Sequence, residues 1–166
     1  MIVDDILQAM PADAIPEGHS HLWFISKFAV GKPITKLRMG KRVFLLAGTY
    51  TFLTRLTNDK LYNQPPGEVV MEDTPFELRT HLNFALRARG QVLVTGLGLG
   101  CVVRGLLANP LVDHVTCIEK SPDVLALVAP YMPKERLTII QADALEWTEA
   151  TDQHFDCAWH DLWTNK

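Results

Sequence analysis

The sequence has few cysteines, and what it lacks excludes several classes of protein. Its three cysteines include no C-x-x-C pair, so neither a zinc site nor a disulfide framework is indicated. No run approaches the ~20 apolar residues of a transmembrane helix. The first five residues, MIVDD, are acidic, whereas a secretory signal begins with basic residues. We therefore expect a cytoplasmic protein with free buried thiols, no bound metal and no membrane span.

Acidic residues are also missing from one long stretch. The chain of 166 residues carries a net charge of -3, yet no acid lies between Gly18 and Asn58. That stretch holds seven basic residues: Lys27, Lys32, Lys36, Arg38, Lys41, Arg42 and Arg55. A solvated sheet face explains them most simply, because no aromatic residues alternate with them at stacking spacing. Steering of an anionic substrate or a nucleic acid is the alternative, and nucleic acid is not favoured.

The most informative segment is QVLVTGLGLG, residues 91–100. A buried apolar run that breaks into alternating glycines is typical of a parallel strand leading into a nucleotide-binding helix. The glycines Gly96, Gly98 and Gly100 permit tight backbone angles and a close approach of ligand or helix. Apolar residues then follow at helical spacing until Asn109-Pro110 ends the helix. This pattern predicts a cofactor site.

The spacing argues against a dinucleotide. In G-x-G-x-x-G the third glycine would fall on Cys101, so the pyrophosphate signature is absent. Residues 115–118 predict a second strand ending at Glu119, where a carboxylate can accept hydrogen bonds from a ribose diol. Strands over 137–140 and 155–159 bring Asp143 and Asp161 to the same rim of a parallel sheet. Asp143 could instead cap the helix that follows it, as Ser121 is expected to cap the helix before it.

These motifs resemble the class I S-adenosylmethionine-dependent methyltransferase superfamily over roughly residues 68–163. The set VLVTGLGLG, IEK, DALEW and FDCAWHD is similar to its spermidine-synthase-like branch. The resemblance implies S-adenosylmethionine as cofactor and an α/β, Rossmann-like parallel sheet. It also implies roles for the matched residues. The turn at Gly96, Leu97, Gly98 and Gly100 would face the methionine part, Glu119 would hold the ribose hydroxyls, and Asp143 with Ala144 would meet the adenine. Lys120 would be a further cofactor-binding residue, and Asp161 would be the catalytic residue that helps to deprotonate the acceptor.

The differences between this chain and the family decide how we rank the functional hypotheses. Aminopropyltransferases carry G-G-G-D-G-G at the turn and a D-S-S-D-P motif, whereas this chain has Leu97, Leu99 and Cys101 and then HDLW. Methyl transfer to an unidentified acceptor is therefore our first hypothesis, and Asp161 would orient or deprotonate that acceptor. A non-catalytic protein that binds an adenosyl nucleoside or serves in assembly is the second. Aminopropyl transfer is the third.

The family's sheet has seven strands, and the sequence accounts for four, so we expect a C-terminally shortened sheet. With the family's strand order 3-2-1-4, the fourth strand would be an edge with unpaired backbone groups. We expect either self-association of the chain into a homo-oligomer through that edge or coverage by the N-terminal β element. Trp163 would be a core residue or would wall a substrate pocket.

The first 66 residues have a different organisation from residues 67–166. Ile6, Leu7 and Met10 predict a short helix, and alternating residues beyond it predict a small antiparallel β-meander with a turn at Gly40-Lys41. We expect a domain boundary in the loop 63–67, NQPPG. Thr74 and Glu77 predict a capping box that opens the next helix, with Gly90 ending that helix and Asp73 as a further capping residue. His19 and His21 are expected at the surface.

Overall fold

The computed structural model describes residues 2–38, 41–56 and 67–162. Within these residues the chain forms helices and strands in the following order: α1 (Ile2–Ala9), β1 (Gly18–Ser20), β2 (Trp23–Val30), β3 (Ile34–Arg38), β4 (Lys41–Leu45), β5 (Gly48–Arg55), β6 (Glu68–Glu72), α2 (Pro75–Arg87), β7 (Gly90–Thr95), α3 (Cys101–Ala108), β8 (Val112–Glu119), α4 (Pro122–Val128), β9 (Leu137–Gln141), α5 (Ala144–Ala150) and β10 (Cys157–His160). Among the helices of these ranges, none is long and apolar enough to cross a bilayer.

The second half is the predicted Rossmann-like parallel sheet. Its strands lie in the order β10-β7-β8-β9, and every pair is parallel. Val92 and Val94 of β7 are fully buried on one face, and Leu93 between them is buried on the other. Such continuous apolar strands fit a sheet that has helices on both faces. In order of appearance the strands run 4-1-2-3 across the sheet, which is the predicted order. The strand β10 forms the edge of the described part, and self-association through that edge stays a prediction.

The first half is antiparallel, but its connections differ from the predicted meander. One sheet has the order β1-β2-β5-β6, and β3 and β4 form a separate hairpin. A meander would pair β4 with β5, whereas β5 pairs with β2 from Trp23 to Val30. The predicted turn at Gly40-Lys41 is wrong at Lys41, which begins β4; Met39 and Gly40 lie outside the described residues.

Both halves contribute to one hydrophobic core. Ile6 and Met10 at the N-terminus, Leu53 of β5 and Leu106 of α3 are fully buried in the same cluster. Met10 packs where a side chain at Gly105 would otherwise lie, so α1 approaches α3 closely. The predicted division into residues 1–66 and 67–166 stays a prediction, because most of its boundary loop falls in residues 57–66, outside the described ranges.

The predicted helix ends are correct in part. Ser121 caps α4 as expected, since its hydroxyl accepts a hydrogen bond from Val124 N at 3.3 Å. The capping box at Thr74 is wrong: its hydroxyl donates to Glu72 at 2.6 Å and makes no capping bond. Gly90 does not end α2 either, because the helix stops at Arg87 and Gly90 begins β7.

The cysteines are free thiols in the structure. Cys101 and Cys117 are fully buried, and this burial raises the pKa of both thiols. Cys157 on the edge strand β10 is only half-buried, and its thiol lies 3.7 Å from the carbonyl oxygen of Arg89. The expectation of buried thiols is therefore confirmed for two cysteines and wrong for Cys157.

Candidate functional site

The carboxyl ends of the parallel strands form one connected rim. Asp161 N, just beyond β10, donates to Thr95 O at 2.9 Å, and Gly96 N, just beyond β7, donates to Ile118 O at 2.8 Å. Ala142 N, beyond β9, donates to Glu119 O at 3.1 Å. These main-chain bonds place three of the predicted site residues along a single edge. In open parallel sheets this edge is where ligands bind.

The three glycines of the turn after β7 all have left-handed backbone angles. The φ angles are +93° at Gly96, +52° at Gly98 and +74° at Gly100, which residues with a side chain rarely adopt. A Cβ at Gly96 would collide with the Asp161 carbonyl oxygen, and Cβ atoms at the other two would collide with Met71 and Met132. Packing of the protein's own atoms against the turn therefore explains why these three positions are glycine, whether or not a ligand binds there.

Most amide groups of this turn already have partners. Leu97 N donates to the Glu119 carboxylate at 2.8 Å, and Leu99 N donates to the Met71 sulfur at 3.1 Å. The amides of Gly96 and Gly100 donate to backbone carbonyls at 2.8 Å each. A phosphate cradle needs several free N–H groups pointing at the anion. The turn is therefore poorly suited to a pyrophosphate, as the sequence spacing predicted.

Glu119 is fixed at the centre of the rim. One carboxylate oxygen accepts from Leu97 N and the other from Ser121 N, both at 2.8 Å. A carboxylate has about four lone-pair positions, so each oxygen can accept a further hydrogen bond. Glu119 is half-buried and lies at the end of β8. It is thus oriented for a diol, although its role in cofactor binding stays a prediction.

Asp143 performs the capping role that the sequence offered as an alternative. One of its oxygens accepts from Leu145 N at 2.9 Å at the start of α5, and the other accepts from Lys120 Nζ at 2.7 Å. The Lys120 ammonium lowers the pKa of Asp143, and Asp143 raises the pKa of Lys120. Ala144 is buried at the start of the same helix. The predicted contacts of Asp143 and Ala144 with adenine, and of Lys120 with the cofactor, stay predictions.

Asp161 lies at the opposite end of the rim from Asp143. Burial raises the pKa of its carboxyl, and the neighbouring side chains of His81 and Trp159 oppose that shift. The His160 side chain contacts Thr95 instead: its Nδ1 lies 2.9 Å from the Thr95 hydroxyl. The structure thus gives Asp161 a partly dehydrated environment of the kind found for acids and bases in active sites.

His81 is a rim neighbour that the sequence did not predict. It lies in the middle of α2, is only 3% exposed, and contacts Trp159 edge to face with ring centroids 5.4 Å apart. Burial lowers the pKa of the imidazole, and Asp161 opposes that shift. A histidine at a helical core position carries no motif, and only the packing of α2 on β10 brings it near the rim.

Other residues that the sequence singled out lie away from the rim or have structural roles. Asp73 accepts from Ala12 N at 2.9 Å and from Thr51 N at 2.6 Å, so it ties distant segments together and does not cap a helix. Lys27 of the basic stretch donates to the Thr51 hydroxyl at 2.9 Å. His19 stacks on Phe24. Trp163 lies outside the described residues.

Two surface depressions of about 460 Å³ each lie elsewhere on the molecule. One is lined by residues between Phe28 and Ile34, and the other by residues between Trp147 and Gln153. Neither includes a residue of the rim. Both depressions are open to solvent. The rim, where the carboxylates of Glu119, Asp143 and Asp161 lie along one edge, is therefore the better candidate for a functional site.

The chain is similar in sequence to two curated proteins. Polyamine aminopropyltransferases 1 and 2 of Ralstonia nicotianae are each 31% identical to it over 84 residues, which cover 45% of this chain and 16% of each relative. No protein-family model matches the chain.

Solved structures of spermidine synthases share its fold. The enzyme from Thermotoga maritima superposes with a TM-score of 0.52 at 18% identity, over 92% of this chain and 47% of that one. A spermidine synthase in complex with the transition-state analogue AdoDATO gives 0.51 at 18% identity, over 90% and 46%. The chain therefore has the Rossmann-like fold of spermidine synthases, which confirms the predicted resemblance. It spans less than half the length of these structures.

Proposed function

We propose that the chain forms the donor-binding part of an aminopropyltransferase and that it binds decarboxylated S-adenosylmethionine at the rim. From the sequence alone this activity ranks third and methyl transfer first. We place aminopropyl transfer first because the curated relatives carry the name polyamine aminopropyltransferase and the similar structures are spermidine synthases.

The connected rim carries this proposal. Glu119 is held by Leu97 N and Ser121 N with lone pairs to spare for the hydroxyls of a ribose. Asp161 is joined to the same edge through Thr95 O. A donor bound across the glycine turn would therefore have its sugar at Glu119 and its reacting end toward Asp161.

The charges of the rim suit a sulfonium better than a phosphate. Glu119, Asp143 and Asp161 are carboxylates, and the Lys120 ammonium pairs with Asp143. A positively charged sulfur gains from nearby carboxylates, whereas an anion gains from free amides, which this turn lacks in large part. The electrostatics thus support an adenosyl sulfonium compound.

In the proposed reaction Asp161 prepares the acceptor. Its carboxylate takes a proton from the acceptor's ammonium group, which leaves a neutral amine with a free electron pair. That pair attacks the carbon bound to sulfur, the C–S bond breaks, and its electrons neutralise the sulfonium to a thioether. The nitrogen becomes positively charged as the new C–N bond forms. The rim contributes alignment of the two reactants.

Methyl transfer is the second candidate because of Leu99. Aminopropyltransferases that this chain resembles have an acid at that position, whereas Leu99 is fully buried and apolar. The turn thus lacks a residue that the resembled aminopropyltransferases carry, but because both donors have an ammonium group, the missing carboxylate does not by itself select either of them. The choice of donor therefore decides between the two reactions.

Calorimetric titration tests donor binding. We expect heat of binding with decarboxylated S-adenosylmethionine, and a preference for S-adenosylmethionine would favour methyl transfer. Because a hydrogen bond to a charged group contributes about 1.5–3 kcal/mol, Glu119→Gln should weaken binding roughly 10- to 150-fold. The matched control is Glu149→Gln, which removes the same charge from an exposed position on α5. No binding of either donor by the unchanged protein would refute the proposal.

Turnover is tested separately with a panel of diamines. We expect alkylated amine in the presence of decarboxylated donor and a loss of about 100-fold or more in Asp161→Asn, the range seen when a general base is removed. Donor binding without any turnover would favour the non-catalytic binding protein.

A further inference from the structure

The Met71 side chain covers part of the glycine turn. Its sulfur accepts a hydrogen bond from Leu99 N at 3.1 Å, and a Cβ at Gly98 would collide with the same sulfur. Met71 is 4% exposed and belongs to β6, a strand of the antiparallel sheet. A side chain from outside the parallel sheet therefore closes the turn after β7.

Without Met71 the turn would offer two successive amides to an anion. Successive backbone N–H groups in a turn form a concave site for carboxylate or phosphate. Gly98 has a left-handed φ of +52°, and within the described ranges its amide has no hydrogen-bond partner. The next amide, Leu99 N, would complete the pair, but the Met71 sulfur occupies it. A carboxylate here would find one free amide, too few hydrogen bonds to offset its desolvation.

A buried cation adds to the attraction of this turn for an anion. Arg104 of α3 is 8% exposed, and its guanidinium donates to Leu99 O at 2.7 Å and to Tyr131 O at 3.4 Å. An anion bound at Leu99 N would gain from this positive charge, since charges interact strongly away from water. The Met71 sulfur is therefore the feature of the turn that keeps such an anion out.

The strand order relates these amides to the tail of the donor, which is the chain that carries its ammonium group. The order β10-β7-β8 places the turn after β7 between Glu119 and Asp161. A donor with its ribose at Glu119 and its reacting carbon toward Asp161 has its sulfur and its tail over that turn. S-adenosylmethionine and its decarboxylated form differ only by a carboxylate on this tail. Met71 thus lies where the two donors differ.

We propose that Met71 determines donor specificity: by holding Leu99 N, its thioether excludes the carboxylate of S-adenosylmethionine and admits the decarboxylated donor. This inference rests on the proposed function, because it requires a donor at the rim. Met71 takes no part in the bond changes of the transfer. Its effect is on which donor binds.

The ratio of two affinities measures this role. The full chain is titrated calorimetrically with both donors and with 5′-methylthioadenosine, which keeps the adenosine and the sulfur but has no tail. We expect the unchanged protein to bind the decarboxylated donor at least about tenfold more tightly than S-adenosylmethionine. Met71→Ala frees Leu99 N for the carboxylate, so this preference should fall by roughly 10- to 150-fold, the range for one hydrogen bond to a charged group. The affinity for 5′-methylthioadenosine should stay within about twofold.

Met132→Ala is the matched control. Met132 is 5% exposed, and its sulfur lies against the same turn at Gly100, but among the described residues no amide of the turn donates to it. This variant loses the same atoms from the core and should keep the preference within about twofold. Should Met71→Ala not fold, Met71→Val removes the sulfur with a smaller loss of buried volume and suits a strand, and the preference should fall there too.

The outcomes distinguish this inference from the proposed function. If the decarboxylated donor binds and its preference is the same in Met71→Ala as in the unchanged protein, the role of Met71 is overturned while the proposed function stands. An equal fall in Met132→Ala also overturns that role, because general loosening of the turn would then explain the change. A preference of the unchanged protein for S-adenosylmethionine overturns it as well and favours methyl transfer. If neither donor binds the unchanged protein, both proposals fail.

Discussion

Asp73 is the side chain whose removal should damage the fold most. It is 4% exposed and lies between β6 and α2. Its two oxygens accept hydrogen bonds from Ala12 N at 2.9 Å and Thr51 N at 2.6 Å, both buried. One carboxylate thus joins the loop after α1, the strand β5 and the start of α2. Asp73→Ala removes both bonds and leaves two backbone N–H groups without a partner.

The size of the effect follows from those two bonds. Each hydrogen bond to a charged group contributes about 1.5–3 kcal/mol, and the two orphaned N–H groups oppose any gain from removing a buried charge. We expect Asp73→Ala to lower the free energy of unfolding by about 3–5 kcal/mol, a large part of the ~5–15 kcal/mol typical of a domain. For a chain of this size that corresponds to a fall in Tm of roughly 6–20 °C.

Denaturant and thermal unfolding followed by circular dichroism measure this directly. Asp113→Ala on β8 is the matched control, because Asp113 is exposed and its loss should change stability by less than about 0.5 kcal/mol. A loss of under about 1 kcal/mol for Asp73→Ala would refute the reasoning, since it would mean that Ala12 N and Thr51 N find other acceptors at little cost.

Three further predictions concern the rim and the thiols. Gly96→Ala should lower the free energy of unfolding by at least about 2 kcal/mol, because φ is +93° and the new Cβ meets the Asp161 carbonyl; Gly31→Ala, with open space around it, should change it little in the same melts. Burial raises the pKa of Asp161, so the folded protein favours the protonated carboxyl over the carboxylate. The contribution of this carboxyl to the free energy of unfolding is therefore fully present below its unfolded pKa of about 3.9 and is lost as pH rises through its folded pKa. Asp161→Asn should therefore be more stable than the unchanged protein at pH 7, and the gap should close toward pH 4; equal stability at both pH values would contradict this. In the folded protein an aromatic disulfide reagent should react with Cys157 and reach the two fully buried thiols only after unfolding. Fast reaction of all three would show that the core opens.

Local signals in the sequence predicted the parallel half of the fold well. The glycine turn, Asn109-Pro110 and the Ser121 cap set the limits of α3 and α4 within a few residues, because each acts on its own neighbours. The pairing of β2 with β5 could not be predicted in this way. It joins strands that are separated by the β3–β4 hairpin, and hairpin signals do not report which strand lies beside which.

The candidate site shows the same division between local and distant causes. Glu119, Asp143 and Asp161 were placed on one rim because parallel strands bring their carboxyl ends together. His81 and Asp73 were missed or misread, since their partners lie far along the chain: His81 meets Trp159, and Asp73 meets Ala12 and Thr51. A short polar residue before a helix suggests a cap whether or not the fold uses it as one.

Main-chain hydrogen bonds join the strands along the rim. The backbone frame of the site is therefore distinct from the side chains that would carry out its chemistry. The bonds between Asp161 N and Thr95 O and between Ala142 N and Glu119 O involve no side-chain atoms. Leucines in the glycine turn are therefore compatible with an intact frame. Donor preference could therefore be altered at the exposed side chain of Lys120 with the architecture in place, whereas Leu97 and Leu99 are buried in the hydrophobic core and belong to that frame.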